Sequence, residues 1–300
     1  MFYFIKTRIR LAINIVNVLA CLCCTTNTMS QQKVIQLYSG PVKGSENWNW
    51  PEGEVFVGNP MNAKVAYNVT KPSLVVYQPD SINGVSVILC PGGSYYVLNI
   101  EHEGSKVAKE LNKKGITVFL FKYRLLRSFT NDPWGEMMEA RKNSDSLLQK
   151  IMPLRNMAIA DLDKAILYVR QHASEYKIDP KRIGVMGFSA GGLLAANLAY
   201  NFSIENRPDF VAPIYSVITN INNRTVKADA PPLFIAAATD DQLAPVLNSI
   251  NLYSDWINAK KSAELHLYSK GGHGLRGTPA STWINRFAEW LSAQGFLNRK

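Results

Sequence analysis

The feature that most constrains this chain is a recurrence of short, continuous apolar runs separated by stretches of helical spacing. Residues 116–121, Ile-Thr-Val-Phe-Leu-Phe, show no alternation of apolar and polar side chains. Such a run marks a strand covered on both faces. Residues 73–77, 85–89, 182–186, 210–214, 233–237 and 264–268 read as further strands. Between them, residues 101–114 have helical spacing and stop at Gly115, a suitable residue for a helix C-terminus. Residues 154–176 place Ile159, Leu162, Ile166, Val169 and Ala173 on one helical face. Residues 190–200, 245–259 and 282–293 complete the helices. Strands that alternate with helices predict an α/β fold, a mostly parallel sheet with helices on both faces.

No repeat or linker divides residues 31–300, so a single domain is expected there. Residues 31–70 read as loop-rich, punctuated by Gly40-Pro41, Gly44, Pro51 and Gly53, with Trp48 and Trp50 as anchors. Residues 125–151 break the rhythm and are expected to form an insertion or lid over one end of the sheet.

The first thirty residues read as a signal peptide. Lys6, Arg8 and Arg10 supply a positive start, residues 11–24 an apolar stretch, and residues 25–30 a small, polar end. Two processing routes fit: cleavage after Ser30, or lipid attachment at Cys21 within the lipobox-like Val18-Leu19-Ala20-Cys21. Either predicts an exported protein, periplasmic or extracellular, that meets a membrane only through the lipid. The formal net charge is +10, and without the leader it falls to about +7. The remaining Lys and Arg are scattered, which argues against nucleic acid as a partner. Cys90 is the one thiol beyond the leader, so no internal disulfide can form there. It ends an apolar run and is expected to be buried and inert.

The chemistry centres on Gly187-Phe188-Ser189-Ala190-Gly191, between a strand and a helix. A serine on such a sharp turn is raised above the sheet, with the next amide at a helix N-terminus where negative charge is stabilised. Ser189 is the candidate nucleophile. Pro91-Gly92-Gly93-Ser94-Tyr95 follows the 85–89 strand, where small residues let backbone amides approach a developing oxyanion. The candidate donors are the N–H of Ser94 or Gly93 together with that of Ala190. Serine needs a base. Of four histidines, His273 lies in a glycine-rich loop between the last strand and the last helix, whereas His102, His172 and His266 read as structural or surface residues. The acid comes from Asp240-Asp241. One of the two would accept from the imidazole, and the other would then cap the next helix. Tyr95, Tyr96 and Trp134 are candidate substrate-binding aromatics at the mouth.

These motifs, with Glu103-Gly104, Lys122-Tyr-Arg-Leu125, Asp161 and Asp179-Pro-Lys-Arg-Ile-Gly-Val-Met-Gly-Phe-Ser-Ala-Gly-Gly192, resemble the acetylxylan-esterase-like and acetyl-esterase branch of the α/β-hydrolase superfamily. The resemblance spans residues 36–295. It implies an α/β-hydrolase fold with an eight-stranded, mostly parallel sheet, no metal or other cofactor, Asp241 as the acid in preference to Asp240 by its spacing to Pro245, and an acyl-enzyme route on acylated carbohydrate or similar small esters. Two positions depart from the usual pattern, Ser94 for a third glycine and Leu193 for a histidine. Glu103, Arg124 and Asp161 recur in it and read as a structural polar network. A general short-chain or feruloyl-type esterase, and a non-catalytic glycan binder, are the competing functions.

Overall fold

The computed structural model describes residues 32–219, 221–277 and 279–297. The leader, with both processing sites and Cys21, lies outside them. The described strands are β1 (Val34–Gln36), β2 (Gly53–Val57), β3 (Ala63–Tyr67), β4 (Ser73–Tyr77), β5 (Ser86–Cys90), β6 (Val97–Leu98), β7 (Thr117–Lys122), β8 (Ile183–Phe188), β9 (Phe210–Ile214), β10 (Leu233–Ala238) and β11 (Ala263–Tyr268). The helices are α1 (Lys106–Asn112), α2 (Pro133–Ala140), α3 (Ser144–Gln171), α4 (Ala190–Asn201), α5 (Leu247–Asn258) and α6 (Trp283–Ala293). A π-helical turn, Glu101–Ser105, leads into α1.

Eight strands form one sheet in the order β1-β4-β7-β5-β8-β9-β10-β11. The β1–β4 and β4–β7 pairs are antiparallel, and all pairs from β7 to β11 are parallel. Successive strand residues point to opposite faces. Ile88, Phe119, Phe121 and Val185 therefore pack with α3, α4 and α5, while Val87, Leu89, Val118 and Met186 pack with α1 and α6. The small residues Ala195, Ala196 and Ala199 of α4 are fully buried and let the helix lie close to the sheet. No helix among the described residues is long and apolar enough to cross a membrane.

Two readings of elements are refined by the structure. Residues 31–70 are loop-rich, as expected, but not wholly loop. They carry β1, which joins the large sheet, and β2–β3, which pair with β6 as a separate three-stranded antiparallel sheet. These strands are short, half-exposed and interleaved with Glu54 and Lys64, so they lack the continuous apolar signature of the central strands. The long helix also starts ten residues earlier than expected. α3 begins at Ser144, where the Asn143 side chain accepts a hydrogen bond from the Ser146 amide at 3.0 Å, and it runs through Pro153. Proline removes one helical hydrogen bond and normally ends a helix. Here Leu147 and Leu154, on either side of it, are both buried and hold the helix in register by packing. Residues 125–151 thus contain α2 and the first turns of α3.

A buried ion pair ties the N-terminal segment to this frame. Arg124 Nε and Nη2 donate to the two Asp161 oxygens at 2.8 and 2.9 Å, with side chains 2% and 0% exposed. Arg124 Nη1 also donates to the Lys43 carbonyl and Ser45 Oγ, and the Tyr38 hydroxyl donates to Asp161. The reading of Arg124 and Asp161 as structural fits this arrangement. Removing one member leaves a buried charge without its partner. Asp161→Ala is therefore expected to lower the unfolding free energy by about 3–5 kcal/mol, measured by urea denaturation.

Candidate active site

Four loops at the carboxyl ends of parallel strands converge above the sheet, where ligands bind in open α/β architectures. The first is the bend between β8 and α4. Ser189 sits on it at φ 51° and ψ −114°, a left-handed conformation costly for a residue with a side chain. A Cβ at Gly187 would lie 2.1 Å from the Gly191 carbonyl oxygen, and one at Gly191 would lie 2.1 Å from the Cys90 carbonyl oxygen. Neither glycine can be replaced without moving backbone. The Ser189 amide donates to the Ile214 carbonyl at 3.1 Å, which ties the bend to β9.

The loop after β11 brings His273 to this serine. His273 Nε2 is 3.0 Å from Ser189 Oγ, and Nδ1 is 2.9 Å from Asp241 Oδ2. Asp241 follows β10 and is 5% exposed. Its second oxygen accepts the Leu243 and Ala244 amides at 2.8 and 2.9 Å. Burial alone would raise this carboxyl. The contact with His273 and the two amides outweigh it and hold Asp241 below the usual aspartate range. The role expected for the other Asp is corrected. Asp240 does not cap α5; its Oδ1 accepts the Gly272 amide at 2.8 Å and tethers the loop that carries His273.

The loop after β5 supplies the candidate oxyanion donors. Gly93, Ser94 and Tyr95 all have positive φ, and a Cβ at Gly93 would meet the Val97 carbonyl oxygen at 2.1 Å. Among the described residues the amides of Gly93, Ser94 and Ala190 donate to no acceptor in the fold. All three residues line the same cavity of about 260 Å³ as Ser189 and His273, and Leu193 forms part of its wall.

Glu103 is the largest departure from the sequence reading. It does not join Arg124 and Asp161 but enters the cleft. Its Oε2 accepts the Gly92 amide at 2.6 Å, and its Oε1 accepts the Tyr215 hydroxyl at 3.0 Å. The Tyr215 ring in turn meets the His273 ring edge to face, with centroids 5.0 Å apart. Burial pushes the Glu103 carboxyl above the usual glutamate range, against the pull of those two donors. Sequence reasoning missed this contact because the π-helical turn that aims Glu103 inward carries no distinct sequence pattern. Tyr215 was missed as well, although its place just after β9 matched that of the other site loops.

The aromatic candidates divide. Trp134, on α2, lines the cleft. Tyr95 forms part of its wall but is only 3% exposed, its ring lying edge-on to Tyr123 in the core. Tyr96 is corrected: it is buried with Val65, Val97, Met137 and Leu147 under the small sheet and does not line the cleft. Of the other histidines, His172 stacks on Tyr168 and His266 contacts Glu264 on β11, whereas His102 lines the cleft wall. Cys90 is buried, and burial pushes its thiol up. Among the described residues no group of three His, Cys, Asp or Glu side chains is placed to hold a metal ion.

Solved structures share this fold. An acetyl ester-xyloside bifunctional hydrolase from Caldicellulosiruptor lactoaceticus superposes with a TM-score of 0.66 at 24% identity, covering 91% of this chain and 100% of that one. The chain has the α/β-hydrolase fold. Within this α/β-hydrolase chain, the BD-FAE family model matches residues 152–216, which include β8, the Ser189 bend and α4. An acetylxylan esterase of Xylanibacter ruminicola is 29% identical over 255 residues, covering 75% of this chain and 47% of that protein. Endo-1,4-beta-xylanase B of Butyrivibrio fibrisolvens is 27% identical over 255 residues, covering 72% of this chain and 36% of that protein. The chain spans less than half the length of each of these two relatives.

The depressed Asp241 carboxyl has a consequence for acid stability. A carboxyl whose folded pKa lies below its unfolded value of about 3.9 stabilises the fold above that value and loses this contribution as pH falls through the lower one. Unfolding free energies measured between about pH 6 and pH 2 should therefore fall less steeply for Asp241→Asn than for the wild type.

Proposed function

We propose that the protein is a serine carboxylic-ester hydrolase that removes acetyl groups from acetylated carbohydrate of the xylan type. The observation that carries this reading is the chain Ser189–His273–Asp241, joined at 3.0 and 2.9 Å beside three free backbone amides. The names of the two relatives, acetylxylan esterase and xylanase, support the carbohydrate part of it.

In this mechanism Ser189 Oγ attacks the ester carbonyl carbon while its proton passes to His273 Nε2. The negative charge that develops on the carbonyl oxygen is held by the amide of Ala190 with that of Ser94 or Gly93. Asp241 keeps the imidazole oriented and stabilises its protonated form. The tetrahedral intermediate collapses as His273 returns the proton to the departing sugar hydroxyl. Water, activated by the same imidazole, then releases acetate from the acyl-enzyme. Glu103 acts as a positioning residue: it fixes the oxyanion loop through Gly92 and, through Tyr215, one side of the His273 ring. No metal or cofactor enters any step. Residues 31–300 act as one catalytic domain, with residues 125–151 as a lid over the cleft. The substrate is a small or oligosaccharide ester, met after export directed by residues 1–30.

Two measurements test this. Acetate release from acetylated xylan should fall by about 10⁴-fold or more in Ser189→Ala. Release of long acyl groups but not acetate by the wild type would overturn the acetyl assignment in favour of a general esterase. Glu103→Ala leaves the Gly92 amide without its acceptor and should lower kcat by about tenfold with little change in KM. Glu103→Gln, which keeps an acceptor at the same place, should recover most of the loss.

A further inference from the structure

A second cavity of about 520 Å³ adjoins the first and shares His273 with it, but Ser189 does not line it. The position of the histidine decides what this cavity receives. In acyl transfer the imidazole delivers its proton to the departing alcohol, so the alcohol portion of an ester lies on the histidine side. On the proposed function, the larger cavity is the sugar side of the cleft.

Its lining has an unusual charge balance. Arg141 and Arg276 both contribute to the wall, and among the described residues neither forms a salt bridge. Arg276 Nη1 donates to the Pro60 carbonyl at 3.0 Å, which anchors that side chain and leaves its other N–H groups available. The one carboxyl among the lining residues is Glu103, and both of its oxygens are taken by the Gly92 amide and the Tyr215 hydroxyl. The positive field reaches His102 on the same wall. Burial first, then Lys106 and, more weakly, Arg276 push its imidazole below the usual range, against the opposing pull of Glu101. Trp134 and Trp283 add flat apolar surface of the kind that packs on sugar rings.

Two cations without acidic partners, beside indole rings and on the leaving-group side, suit one class of ligand. We propose that this cavity binds a saccharide carrying a carboxylate, a uronic-acid unit near the acetylated sugar, with Arg141 and Arg276 holding the carboxylate. The guanidinium fork matches a carboxylate in geometry as well as charge. A formal net charge of about +7 outside the leader also attracts anionic glycans at long range.

The inference rests on the proposed function only for the direction of the ester in the cleft, so its test is a binding measurement that needs no turnover. The full protein is titrated calorimetrically with an unacetylated xylo-oligosaccharide bearing a glucuronic-acid branch, and with the neutral oligosaccharide of equal length. The acidic ligand should bind about tenfold more tightly at low salt, and the difference should shrink as salt is added. Arg141→Gln and Arg276→Gln should each reduce the preference, and the double variant should abolish it. Equal affinities for the two ligands, or a preference that survives in the double variant, would overturn the proposal. Acetate release is measured in parallel. A uronate preference without acetate release would sink the esterase function and leave this site standing, whereas acetate release without the preference would do the reverse.

Discussion

The site depends on one backbone constraint, the bend that carries Ser189 in a left-handed conformation between β8 and α4. A serine would not hold φ 51° by itself, since such a conformation costs on the order of 1–3 kcal/mol. It persists because the surroundings leave no alternative. The Gly187–Gly191 backbones pass too close for any side chain, Gly191 lies against the Cys90 carbonyl, and the Ser189 amide is tied to β9. Two central strands and a buried helix thus position one hydroxyl, and the partial positive charge at the start of α4 falls beside it.

Around that fixed point, the site loops are pinned by separate polar contacts. Asp241 is held by two amides of its own turn and presents its remaining oxygen to His273. Asp240, its neighbour in sequence, secures the His273 loop through Gly272. Glu103 does the same for the loop after β5. Three carboxylates therefore act on three loops, and only one of them touches the imidazole. Burial of Glu103 against its ionisation outweighs the donors it receives, and that cost to the fold accompanies the order it gives the cleft.

The cleft walls come from elsewhere. α2, the turn after it and the first turns of α3 supply Trp134, Met137, Arg141 and Leu147, and the turn between β2 and β3 supplies Pro60 and Met61. These parts lie outside the doubly covered sheet, which frees their sequence from the demands of the central core. The substrate-facing surface is accordingly the portion least like a general α/β pattern.

What the sequence by itself determined was whatever repeats with a short period or sits on a tight turn. The runs that became β4, β7, β9 and β10 are apolar because both faces of the sheet are covered, and that burial is written into consecutive residues. Gly187, Ser189 and Gly191 were legible for the same local reason, as only small residues fit so close a bend. The chain order of serine, acid and histidine indicated which loops to compare. Only the tertiary structure decided which Asp faces His273, because adjacent carboxylates differ solely in the direction their loop turns them. It alone carried Glu103 into the cleft, buried Tyr96 away from it, and continued α3 through Pro153. Each of these outcomes rests on contacts between residues far apart in the chain, and packing of that kind leaves no periodic trace in the sequence.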